Sequence, residues 1–169
     1  MSTAGFTSIG GQNSQIVQSK KSAILSYLQK LWIAVAQIQN EEMMLQTFVH
    51  KSFAADYKDL RYHNERLEFV GDGILWAIIN KQLFLHHPEM PESELTLYKI
   101  ALVREEILAE VARDVDLASV LLVSKWEERS EGRKKDSILS DALEALIGFV
   151  YVELLLLSFY VFMAKEFPG

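Results

Sequence analysis

Two stretches of this sequence set acidic side chains among apolar ones at helical spacing. The first, HNERLEFVGDGILWAII, carries Glu65, Glu68 and Asp72 beside Leu67, Phe69, Val70, Ile74 and Leu75. Glu68 and Asp72 are four apart and share one helix face, and Glu65 extends the same stripe one turn back. The second, DSILSDALEALIGFVY, places Asp141 and Glu144 three apart among Ile138, Leu139, Leu143, Leu146 and Ile147. An unpaired buried carboxylate costs several kcal/mol, and neighbouring like charges raise one another's pKa. Arg66 is the one cation inside either motif, so a divalent cation offsets the charge better than the chain itself does. Oxygen ligands without His or Cys point to Mg²⁺, with Mn²⁺ as a substitute, rather than zinc. Either pair alone reads best as an exposed face of an ordinary helix; both together, each in apolar company, read as a metal site of Glu68, Asp72, Asp141 and Glu144. A di-iron bundle would need Glu-x-x-His on two helices, and no His here stands three after a Glu.

Helical periodicity dominates the rest, and no two-residue alternation marks a strand. Ile24 to Val35, Glu41 to Ala55 and Asn64 to His86 read as helices, the last closed off by Pro88 and Pro91. Ser93 can cap a further helix running through Leu95 to Val111. A short apolar piece, Leu117 to Val123, leads into the polar loop SKWEERSEGRKK, and Asp136 or Ser137 starts the last long helix. The fold class is therefore all-α. Gly71 and Gly73 flank Asp72 inside a helical pattern, each costing about 1 kcal/mol against Ala. They mark either close approach by another backbone, metal or substrate, or merely tolerated glycines.

A length of 169 residues suits one domain, with residues 1–20 a flexible tail and 21–169 the folded unit. The absence of cysteine excludes a disulfide framework, a thiolate metal site and a Cys nucleophile, and fits a cytoplasmic location. Ser52, Ser137 and Ser140 have no evident His partner, which argues against a serine nucleophile. The net charge of −6 argues against a nucleic-acid partner on composition alone. The first twenty residues lack the basic start and apolar run of a signal peptide. Ala145 to Ala164 approaches the length of a membrane span, but Glu153 near its middle favours a buried helix running into an apolar end.

NERLEFVGD, from Asn64 to Asp72, closely resembles the signature of the ribonuclease III family. HKSF at His50 to Phe53, PESELTLYKIALVR and EGRKKDSILSDALEALIGFVY resemble its other segments, in the same order from about residue 24 to 152. The resemblance implies a dimeric helical endonuclease domain that cuts double-stranded RNA with Mg²⁺, leaving 5′-phosphate and 3′-hydroxyl ends. Carried over by position, Glu68, Asp72, Asp141 and Glu144 hold metal, Asp72 and Glu144 being most essential, and Glu65 and Glu92 are secondary acids of the cleft. Phe69 matches an aromatic that plugs a pocket on the partner subunit; packing within its own subunit is the alternative. Lys125, Arg129, Arg133, Lys134 and Lys135 are candidate phosphate contacts, or else a solvated charged loop. Two positions depart from the pattern: Gly73, where the family has Ser or Ala, and Glu131-Gly132, where it has a Gly pair. The family usually continues into a double-stranded RNA-binding domain carrying much of the basic surface; this sequence stops soon after the nuclease motif, either as a piece of a longer chain or as an enzyme that acts without that domain. A catalytically silent relative that grips RNA without cutting is the competing expectation, and it would be expected to lose carboxylates that this chain keeps.

Overall fold

The computed structural model describes residues 12–56 and 63–155. Its helices are α1 (Gln12–Ser19), α2 (Lys21–Lys30), α3 (Glu41–Thr47), α4 (Lys51–Asp56), α5 (Glu65–His86), α6 (Glu92–Leu102), α7 (Glu105–Asp114), α8 (Lys125–Arg129) and α9 (Asp136–Val150). Among the described residues there is no strand, only one parallel β-bridge between Val49 and Leu122. The fold is all-α.

Helix α9 is the centre of the fold. Its apolar residues recur all round the helix, so it must be covered on several sides. Ile138, Leu139, Ala142, Leu143, Ala145, Leu146 and Phe149 are all buried, against α5, α7 and α3. The core then extends to Ile24 and Leu28 of α2, Met44, Leu45 and Phe48 of the α3 segment, and Leu117 to Val123. Helix α6, by contrast, buries nothing.

Several boundaries differ from the sequence expectation, each for a local reason. Part of the expected tail, Gln12–Ser19, is helical and sends Val17 into the core at 1% exposure; residues 1–11 lie outside the described residues. Helix α2 stops at Lys30, where the Ile33 N–H reaches back to the Leu28 carbonyl and the Trp32 N–H to that of Gln29. This is the glycine-type helix ending, made here with Trp32 at φ 60. The expected helix over Glu41 to Ala55 is divided because Phe48 to His50 pair with a distant segment: Leu122 N–H donates to Phe48, and His50 N–H donates to Leu122. These tertiary backbone bonds replace helical ones. The expected helix through Val111 breaks at Arg104, which is extended at ψ 151; it starts from Pro91 as N-cap, with Ser93 already inside the first turn. The polar loop contains α8, capped by Ser124, and a short 3₁₀ turn at Gly132–Lys134. Helix α9 begins at Asp136 as the sequence indicates and passes at Tyr151–Leu155 into a π-helical turn. There Glu153 is buried and its carboxylate accepts the backbone N–H groups of Gln39 and Asn40. No helix among the described residues is long and apolar enough to cross a membrane; the part of the apolar stretch beyond Leu155 lies outside them.

Candidate active site

Glycine at one crossing brings two acidic stripes together. A Cβ on Gly71 would lie 1.7 Å from the Glu144 carbonyl oxygen, and one on Gly148 would lie 2.1 Å from that of Leu67. Only hydrogen fits at both places, so α5 and α9 touch backbone to backbone. Close approach by another backbone was one of the readings offered for Gly71, and it is the correct one. Gly73 has open space where a Cβ would stand, so no backbone among the described residues approaches it. Gly148 escaped the sequence reading, although a glycine midway along so apolar a helix was the available signal.

At this crossing Glu68, Asp141 and Glu144 converge, offering carboxylate oxygens that lie within 4.8 Å of one another. All three are half-buried. Asp72, one turn beyond Glu68, is outside that tightest group, yet it is the strongest charged neighbour of Glu144. Burial pushes Glu144 up to about 7, aided by the charges of Asp72, Glu68 and Asp141. Burial likewise raises Glu68 to about 7, with Asp141 and Glu65 adding to it and Lys51 opposing it. Asp141 is raised too, chiefly by burial, against the opposing charge of Lys51. Such a set is under-neutralised by the protein itself. An all-carboxylate donor set with half-buried oxygens suits a hard divalent cation.

The other expected residues are distributed around this centre. Glu65 turns to Lys51, whose Nζ is 3.0 Å away, and lies 3.5 Å from His63 Nδ1. The Lys51 hydrogen bond holds its carboxyl below the usual range. Glu92 opens α6, accepts the Thr96 hydroxyl at 2.9 Å and does not join the converging acids. Phe69 is 82% exposed, which excludes packing into its own core. Three expected phosphate contacts already have carboxylate partners: Arg133 with Glu128 at 2.6 Å, Lys134 with Glu131 at 2.6 Å, and Lys135 with Glu127 at 2.8 Å. Lys125 and Arg129 make no such pair among the described residues; with Asp56 and the exposed Trp126 they line an open cleft. The expectation that no serine has a His partner fails at Ser52, whose Oγ lies 2.8 Å from His50 Nδ1. That serine also accepts the Ser124 N–H at 3.0 Å, and His50 is buried, so the pair fastens α4 to the Ser124 loop. Lys51 itself was missed, although it sits in the HKSF segment singled out from sequence.

A profile of the family described as Ribonuclease-III-like matches residues 40–158, a span that includes every one of these acids. The chain belongs to the ribonuclease-III-like family. It is 41% identical over 130 residues to a protein named Ribonuclease 3 from Natranaerobius thermophilus, covering 77% of this chain and 55% of that one. A Ribonuclease 3 from Staphylococcus epidermidis is 35% identical over 153 residues, covering 88% and 62%. The chain thus spans little more than half the length of these curated relatives. Two solved structures of the nuclease domain of ribonuclease III from Campylobacter jejuni share the fold. One has a TM-score of 0.71 at 33% identity, covering 86% of this chain and 99% of that domain. The other has a TM-score of 0.64 at 32% identity, covering 89% and 96%. The first is described as flexible in a region involved in dimer formation. This ribonuclease-III-like chain therefore places its converging carboxylates within a family nuclease domain.

Proposed function

We propose that this chain carries the catalytic domain of a cytoplasmic endoribonuclease that hydrolyses double-stranded RNA, with Mg²⁺ or Mn²⁺, to 5′-phosphate and 3′-hydroxyl ends. The convergence of Glu68, Asp141 and Glu144 across the Gly71–Gly148 contact carries this reading. These three and Asp72 hold the metal, which when bound supplies an activated water and charge stabilisation for the leaving oxygen. The chain's own part is to hold the oxygens half-dry on two rigid helices. That strengthens their attraction for a divalent cation and keeps the oxygens in a fixed arrangement. Within the set, the resemblance to the family implies that Asp72 and Glu144 carry the largest share. Among the basic candidates, Lys125 and Arg129 are better placed than Arg133, Lys134 and Lys135, whose charges are already matched. The silent RNA-gripping alternative is disfavoured by the survival of all four acids.

The same reading includes a homodimer. Phe69, Trp76, Ile78, Phe84, Leu97, Tyr98, Ile100 and Leu102 are exposed along α5 and α6. A two-fold partner would cover this face and supply a second acidic cluster for the second RNA strand. Incubation with long duplex RNA tests the activity: cleavage in Mg²⁺, none in EDTA and none of duplex DNA is the expected result. Equal cleavage in EDTA refutes the metal mechanism, and intact RNA in Mg²⁺ favours the silent alternative.

A further inference from the structure

Lys51 opens α4 on a backbone that is fixed on both sides. Before it, His50 is buried and donates its N–H to the Leu122 carbonyl at 2.9 Å. After it, the Ser52 hydroxyl is engaged by His50 and by the Ser124 amide. The side chain between these anchors is 59% exposed, and its Nζ sits 3.0 Å from Glu65 Oε1. Glu65 lies one turn before Glu68, so the ion pair stands on the rim of the acidic cluster, and the Lys51 charge is felt at both Glu68 and Asp141. A cluster of acids repels a polyanion until cations intervene, and Lys51 is a cation already in position to do so. An exposed ion pair is weak, so a phosphate oxygen can share or replace Glu65 at the ammonium at little cost. Glu65, occupied by Lys51 and His63, is outside the converging ligand set.

We propose that Lys51 contacts a substrate phosphate at the rim of the carboxylate cluster, and that Glu65 is its positioning residue rather than a metal ligand. This rests on the duplex-RNA reading above. In the Lys51–Glu65 pair the carboxylate restricts the ammonium to the side of the cluster, and the fixed α4 backbone sets its reach.

The test uses the whole chain and a fluorescein-labelled RNA duplex, with anisotropy measured in EDTA so that no cleavage intervenes. Lys51→Ala should weaken binding about three- to tenfold and reduce the salt slope by about 1 per subunit, as loss of one phosphate contact does. Lys51→Arg should restore most of the affinity, and Glu65→Gln should weaken binding about twofold, the loss expected of an exposed ion pair. Mn²⁺ affinity, followed by water proton relaxation, should stay within about threefold of wild type in Lys51→Ala and Glu65→Gln but be lost in Glu144→Gln. Wild-type affinity and slope in Lys51→Ala, with wild type binding the duplex, overturn the contact while leaving the duplex reading intact. Loss of Mn²⁺ by Glu65→Gln to the extent seen in Glu144→Gln overturns its positioning role. A wild-type chain that neither binds the duplex in EDTA nor cleaves it in Mg²⁺ overturns this inference and the duplex reading together.

Discussion

Helices α9 and α6 are both rich in apolar residues, yet their fates are opposite. On α9 nearly every such residue is buried; on α6 none is, and Leu97, Tyr98, Ile100 and Leu102 face outward. The difference is not composition but company: α9 has helices on several sides, whereas α6 leans chiefly on α5 among the described residues. The acids follow the same division. Those of α9 are held half-dry beside α5, while Glu92 of α6 stands exposed and accepts the Thr96 hydroxyl. A carboxylate acquires unusual chemistry when the surrounding core keeps water from it, and α6 has no such surroundings within one chain.

The contrast breaks most completely at the glycine contact. Gly71→Ala forces a methyl into the Glu144 backbone and should lower unfolding stability by about 3 kcal/mol, the upper range for overpacking. Gly73→Ala, two residues away in open space, should instead raise it by about 0.5–1 kcal/mol through helix propensity. Denaturant unfolding of both variants gives the comparison, and equal signs would refute the close-packed crossing.

Next in size is the charge held in that crossing. Glu144→Gln or Asp72→Asn should abolish cleavage while leaving the helical circular dichroism intact. Glu68 and Glu144 titrate at about 7 when folded, against an ordinary value of 4.5. Between those values the folded chain binds more protons than the unfolded one, so metal-free stability falls as pH rises through that window and levels off above it. Glu144→Gln should flatten part of this fall and raise the metal-free Tm at pH above about 7. Divalent metal should raise Tm more at about pH 8 than at about pH 6, because it binds the ionised acids. A metal-free Tm that rises steadily from about pH 5 to 8 would contradict the raised values.

The exposed side is tested by Phe69→Ala. Burial of a Phe in a partner contributes about 1.5–3 kcal/mol per side, so this change should shift the dimer toward monomer in sedimentation equilibrium. A wild-type monomer at micromolar concentration refutes the assembly. The smallest effect is expected in the loop that feeds α9. Glu131 holds φ 57, a left-handed conformation that suits glycine, and the family's Gly pair falls at this position. Glu131→Gly should raise Tm slightly despite the lost contact with Lys134; a fall would show that the ion pair matters more than the backbone.

The acids were legible because a carboxylate at helical spacing among leucines conflicts with its surroundings, and the last helix was legible because its period is unbroken. The interruptions at Val49 and Arg104 were not. Nothing local marks Val49 as a residue that bridges to Leu122, and the Val103–Arg104 bend depends on where Leu108, Ala109 and Ala112 must go to be buried. Trp32 illustrates the same limit: it takes the left-handed place at a helix end that sequence reasoning reserves for glycine. Lys51 matters through Glu65 on another helix and Gly148 through Leu67 and Gly71 on α5, a relation that pattern within a segment does not contain.

The placement of the core around α9 has a consequence for biogenesis. A ribosome makes α5 long before α9, and α5 packs chiefly on α9. Until residue 150 has left the exit tunnel, the side of α5 that packs on α9 has no cover and the nascent chain offers an exposed surface to chaperones. The two halves of the carboxylate cluster are likewise synthesised apart, so a divalent ion would have no complete set of these oxygens to bind during elongation. Folding of this domain should therefore be a late, long-range event with slow closure, and metal capture should follow it rather than guide it.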